Sequence, residues 1–112
     1  VRSQKQHVYI KVTIDDRQTR LDCDGISYIE SQRNNVIVHT RDNDYVTVGP
    51  LKKFEEMLIT HGFSKCHNAY LINLSYVEAV QKEEVVLTDG VRLPISRAKK
   101  KEFMAALTED IL

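Results

Sequence analysis

Residues 65–74 read Lys65-Cys66-His67-Asn68-Ala69-Tyr70-Leu71-Ile72-Asn73-Leu74. From Phe63 to Leu74 the chain is mostly apolar, interrupted at Cys66-His67-Asn68, so polar side chains stand at the ends of short β elements. Further on, Leu93-Pro94-Ile95-Ser96-Arg97-Ala98-Lys99-Lys100-Lys101 sets a cationic run just after another short apolar strand. Hydrogen-bonding and cationic groups at strand ends make a binding surface, with no recognisable catalytic apparatus.

Working outward, period-two alternation puts Val8, Ile10, Val12 and Ile14 on one face of a half-buried strand over residues 7–14. Asp15-Asp16 and Asp24-Gly25 are turn signals, with a short strand at residues 18–22 between them. Strands follow at 26–31, 36–40 and 45–48, with the polar break Gln32-Arg33-Asn34-Asn35 at hairpin length. At Gly49-Pro50 the period changes. Leu51, Phe54, Met57 and Leu58 recur at helical spacing, Pro50 suits a first helical position and Gly62 a stop, giving one helix of about ten residues. Residues 77–81 and 85–88 flank a hairpin break, Asp89-Gly90 reads as a two-residue hairpin turn, and 92–95 completes that strand. A closing helix is expected over 98–107, with Phe103 and Leu107 inward. Strands do not alternate with long helices, so a parallel sheet is excluded in favour of a mainly β fold of small antiparallel sheets. No internal repeat is visible.

The length of 112 residues fits one domain with one core. Sixteen Lys and Arg against sixteen Asp and Glu give a net charge of zero, so this is no generic polycation. Local distribution is a different matter: Arg92, Arg97, Lys99, Lys100 and Lys101 lie in residues 91–101 without an acid among them. Cys23 and Cys66 form no Cys-x-x-Cys unit and read as free thiols of a reducing, cytoplasmic setting. His7, His39, His61 and His67 are scattered, so no metal or cofactor is expected. No apolar run reaches membrane-span length. The chain opens on Val1 and a polar, basic stretch. Residues 1–7 are therefore expected to be the remnant of a linker to a larger protein, and 8–112 the binding domain.

Several groups suit nucleic acid. Ser96 can cap the helix that follows, whose N-terminus favours phosphate. Arg97 can present a fork to guanine O6 and N7, and Asn68 can bond adenine in the same bidentate way. Lys99, Lys100 and Lys101 can meet phosphates, which fix register. The competing interpretations are a solvated basic helix face and a turn asparagine bonded to its own backbone. As a whole molecule, the alternative is a β-rich protein-interaction or small-ligand module.

The chain resembles the LytTR family of bacterial DNA-binding domains over residues 10–107. The likeness is densest at Ile26-Ser27-Tyr28-Ile29-Glu30-Ser31, along the helix from Pro50 to Gly62-Phe63, in residues 65–74, and from Leu87 to Arg97. It implies an elongated module of small antiparallel sheets with one internal helix and a C-terminal helix. It implies sequence-specific binding of double-stranded DNA for transcription regulation, without enzymatic activity, by loops that enter major grooves. Carried over residue by residue, Asn68 and Arg97 would read bases, as would Arg33 or Asn35 in the Arg33-Asn34-Asn35 loop. That loop lacks the histidine and the length found elsewhere in the family, so the choice within it stays open. His67, Ser96, Lys99, Lys100, Lys65 and Arg92 would face the DNA backbone, and Asn73 would hold a turn. Cys66 matches a cysteine that some members use as a redox switch, but its partner position is Arg92 here, and Cys66 reads as a small buried hydrophobe. Such domains usually follow a receiver domain in two-component response regulators and bind paired direct repeats, so the isolated domain is expected to be monomeric.

Overall fold

The computed structural model describes residues 8–111, the last by its backbone alone, so the linker expected at 1–7 lies outside the described residues. Ten strands and two helices run in the order β1 (Tyr9–Ile14), β2 (Arg17–Asp22), β3 (Ile26–Gln32), β4 (Asn35–Thr40), β5 (Asp44–Val48), α1 (Leu51–Leu58), β6 (Phe63–His67), β7 (Tyr70–Asn73), β8 (Val77–Gln81), β9 (Glu84–Leu87), β10 (Arg92–Pro94) and α2 (Arg97–Ile111). All pairings are antiparallel. They make a β1-β2 hairpin, a central sheet in the order β5-β4-β3-β7-β6, and a small sheet β10-β9-β8. The molecule is a slab of 42 × 40 × 24 Å.

The central sheet carries a core on each face, where a single core was expected. Period two explains the split. Neighbouring residues on a strand point to opposite faces, so the pair Ile29↔Leu71 faces the β1-β2 hairpin and α1, with Val36, Val38, Phe54 and Leu58. The next pair, Tyr28↔Ile72, faces the β8–β10 sheet and α2, with Cys66, Val85, Leu87 and Phe103. Burying each large apolar side chain contributes about 1.5–3 kcal/mol.

Two short 3-10 turns, Cys23–Gly25 and Leu74–Tyr76, repeat one device. Each follows a hairpin, each is capped by the side chain before it (Asp22 or Asn73), and each leads into another hairpin. They also touch: Asn73 Nδ2 donates to the Ile26 and Cys23 carbonyls at 2.9 and 3.3 Å, and the Tyr76 hydroxyl donates to the Asp24 carbonyl at 2.6 Å. Asn73 therefore holds a turn, as expected, and joins the two halves as well.

Several expectations need correction. Pro50 sits one residue before α1, where its carbonyl accepts the Lys53 amide, and the last part of the expected helix is a 3-10 turn, Ile59–His61, stopped by Gly62 at φ 83°. Met57 is exposed; Leu51, Phe54 and Leu58 supply the buried stripe. The turn at Asp89-Gly90 is four residues, 88–91, because Asp89 accepts the Val91 amide and Gly90 donates to Leu87. The polar break after β3 tightens to Arg33-Asn34, with Gln32 and Asn35 paired. The closing helix continues to Ile111, with the Thr108 hydroxyl bonded back to Met104.

Candidate nucleic-acid interface

Antiparallel order brings the end of β3, the start of β4, the end of β6 and the start of β7 to one end of the central sheet. The Arg33-Asn34 and Asn68-Ala69 turns therefore lie side by side. The Ser31 amide fixes them by donating to the Ala69 carbonyl at 2.8 Å. On the other side of β6, the Ser96 amide donates to the Cys66 carbonyl at 2.8 Å, which sets Arg97 next to the Asn68-Ala69 turn. The Ile95 amide donates to the Glu83 carbonyl, also at 2.8 Å, and adds the Lys82-Glu83 turn. Four segments thus form a row along one edge of the slab.

Within that row Asn68, Arg97, Arg33 and Asn35 are exposed. The side chains of Asn68 and Arg97 have no hydrogen-bond or ion-pair partner among the described residues, so an asparagine bonded to its own backbone is not what the turn contains. The backbone-bonding group there is His67, whose Nδ1 accepts the Ala69 amide at 3.1 Å. Ser96 caps α2: its hydroxyl and its carbonyl both accept from the Lys99 amide, at 3.2 and 3.1 Å.

The cations fall into three settings. Lys100 reaches the β8-β9 turn, where its ammonium donates to the Lys82 carbonyl at 3.3 Å. Lys65 and Lys99 line a cleft of about 400 Å³ between α1 and α2, beside Glu55, Glu102, Glu109 and Asp110. Arg92 is the least available, since its guanidinium donates to Gln81 and Glu84, both at 3.2 Å. Lys82, exposed at its turn, joins the row although its position in the sequence gave no sign of it. Only its long-range contact with Lys100 marks it. Along α2, Arg97, Lys99, Lys100 and Lys101 come first and Glu109 and Asp110 last.

Nothing in this row is set up for covalent chemistry. Cys66 is fully buried, its thiol donates to the Pro94 carbonyl at 3.3 Å, and burial pushes its pKa up to about 12. Burial, with Asp22 and Asp24 nearby, pushes the Cys23 thiol up to about 11. A thiolate is the nucleophilic form, and both sites disfavour it. His39 is stacked on Tyr28 and lies between Glu30 and Asp44, at 2.6 and 2.9 Å, as a cross-strand tie. No group of three metal-ligating side chains occurs among the described residues, and no helix there is long and apolar enough to cross a membrane.

A family model described as the LytTr DNA-binding domain matches residues 16–108. The chain is 30% identical over 103 residues to the transcriptional regulatory protein LytR of Staphylococcus aureus (strain N315), covering 88% of this chain and 42% of that protein. It is 26% identical over 92 residues to the sensory transduction protein LytT of Bacillus subtilis (strain 168), covering 78% of this chain and 38% of that protein. Of these curated relatives, then, it spans well under half the length. A solved LytTr DNA-binding domain from Bacillus cereus has the same fold, with a TM-score of 0.77 over 88% of this chain and 95% of that one at 18% identity.

Proposed function

Because this chain belongs to the LytTr DNA-binding domain family, and so is a DNA-binding module of transcription regulation, we propose that it reads duplex DNA through the row of turns at one end of its central sheet. The observation that carries this reading is that Asn68 and Arg97, both exposed and both with side chains free of partners among the described residues, stand on segments tied together by the Cys66–Ser96 bond. Each can make two hydrogen bonds to one base edge in a major groove, Asn68 to adenine and Arg97 to guanine. Arg33 or Asn35 reads a third position from the adjacent turn. His67, Ser96 and Lys100 fix the register on phosphates, with Lys82 added beside Lys100. Lys65 and Lys99 contribute less, because they line a cleft that also holds four acids, and Arg92 because it already bonds Glu84.

The module is non-enzymatic and acts in the cytoplasm as the output domain of a longer two-component response regulator. A regulatory domain, a receiver in this reading, precedes it. Paired direct repeats on the DNA are bound by two copies brought together through that domain, while the isolated domain is monomeric.

Selection of bound fragments from a random duplex pool tests the reading and yields the site. With about five phosphates neutralised, log K should fall with log salt at a slope near −4.5. Arg97→Ala should cost about 1–3 kcal/mol on the selected site and relax preference at one base pair. Equal loss on selected and scrambled duplexes would remove Arg97 from the base-reading set.

A further inference from the structure

Among the described residues four hairpins turn on two residues: Asp15-Asp16, Arg33-Asn34, Asn68-Ala69 and Lys82-Glu83. Three have a positive φ at the first turn residue, Asp15 at 51°, Arg33 at 58° and Lys82 at 52°. That left-handed geometry suits a two-residue hairpin, because it matches the right-handed twist of the strands. The Asn68-Ala69 turn is the exception: neither of its residues has a positive φ. Turns of the ordinary hand splay the strands they join; a register shift between Lys65 and His67 bulges β6 beside this turn and adds local twist, and further contacts hold the turn itself. Two bonds to Ala69 do so. Its carbonyl accepts the Ser31 amide at 2.8 Å, and its amide donates to His67 Nδ1 at 3.1 Å. The imidazole lies against the tilted Tyr70 ring, with centroids 5.6 Å apart, and is half-buried. This side chain does what an aspartate or asparagine does in an Asx turn, accepting the amide two residues on.

We infer that His67 is a positioning residue for base recognition: through Nδ1 it locks the Asn68-Ala69 turn in a form that the twist of the paired strands does not favour, and so aims Asn68. The inference rests on the reading of Asn68 as a base-contacting residue. It gives His67 two separable duties. Accepting at Nδ1 leaves the ring proton on Nε2, which stays available to donate to a phosphate. The phosphate duty acts on every duplex equally, whereas the positioning duty acts only at the base pair that Asn68 reads.

Two substitutions separate them. His67→Asn keeps an acceptor for the Ala69 amide, while His67→Ala keeps neither duty. The probes are the duplex that the chain enriches from a random pool and the set of its single base-pair changes, measured by anisotropy. The Asn68→Ala variant identifies the base pair concerned. The expected result is that His67→Ala lowers discrimination at that base pair by about 5- to 150-fold, the range of one bidentate contact, and speeds exchange of the Ala69 amide. His67→Asn restores both. Should His67→Ala lower affinity by one factor across every base change, with the Ala69 amide still protected, the histidine is a phosphate contact only and the inference is wrong. Failure of His67→Asn to restore discrimination, with Asn68→Ala still showing base-specific loss, also overturns it while leaving the reading of Asn68 intact. If the pool yields no enriched duplex, the DNA-reading role of the turns fails first and the inference falls with it.

Discussion

The amide of Ser96 donates to the carbonyl of Cys66 across 2.8 Å, and this one backbone bond couples the start of α2 to the turn that carries Asn68. Ser96 then has three tasks within one residue: it anchors the segment, caps the helix and precedes Arg97. Stability and DNA binding meet there, and substitution can pull them apart.

Ser96→Ala should destabilise the fold by about 1 kcal/mol through loss of the cap. Ser96→Asp keeps the cap and suits the helix N-terminus, yet puts a negative charge where phosphate would come. The expected outcome is a near-native thermal midpoint for Ser96→Asp together with weakened binding to all duplexes. A Ser96→Asp chain that binds as tightly as the parent would place the phosphates elsewhere.

Asn73 is 6% exposed, with its amide nitrogen serving two carbonyls and its oxygen serving the amide and hydroxyl of Ser75. Asn73→Ala strands those groups and should cost about 2–3 kcal/mol in denaturant titration. Asn73→Asp keeps the cap for Ser75 but presents a carboxylate to two carbonyls, so it should restore little. A neutral effect of either change would mean that the two halves of the molecule do not depend on this residue for their union.

The two thiols make a statement about alkaline stability. Burial raises Cys66 from 9.0 to about 12 and Cys23 from 9.0 to about 11. The neutral form is the one the fold favours, so the unfolded chain loses its thiol protons first. Stability from this source is complete below pH 9 and declines as pH rises toward 11–12. Cys66→Ala should flatten part of that decline in pH-dependent melts. At pH 8 both thiols of the folded chain should resist alkylation, and labelling should follow unfolding; rapid labelling of Cys66 in the native state would contradict its burial.

Lys100 and Lys82 share the β8-β9 turn. Lys100→Ala should weaken binding uniformly across sequences and reduce the salt slope by about one. The same should hold for Lys82→Ala, and the double substitution should reduce the slope by about two if both meet phosphate. A single-variant slope change for Lys100 alone would mean that Lys82 only holds Lys100 in place.

Much of this architecture is legible because it is local. Alternation over residues 8–14, the cap at Ser96 and the stop at Gly62 are each written in adjacent residues. Asn68 and Arg97 could be picked out as residue types at strand ends. Their setting could not, since it depends on Ser31 meeting Ala69 and Ser96 meeting Cys66, pairings of residues far apart in the chain. Lys82 was passed over for the same reason. The Asp89-Gly90 signal misled because the Asp89 carboxylate takes the Val91 amide and opens the connection to four residues. The paired 3-10 turns escaped notice because Asp22 and Asn73 share a capping geometry and almost no surrounding sequence.

The charges of α2 run against its dipole. Cations crowd the first turns and acids the last, with no acid in the first turn and no base in the last. Each misplaced charge forgoes about 0.3–1 kcal/mol, and Arg97 repels Lys100 and Lys101 from three and four residues away. This charge order weakens the leading end that the Ser96 cap holds, and a row of anions laid across that end would reverse the repulsion. Hydrogen exchange would register this as low protection at residues 98–101 in the free chain and a gain there on DNA binding. The helix would then act as a spring loaded by its own charges and relaxed by its ligand.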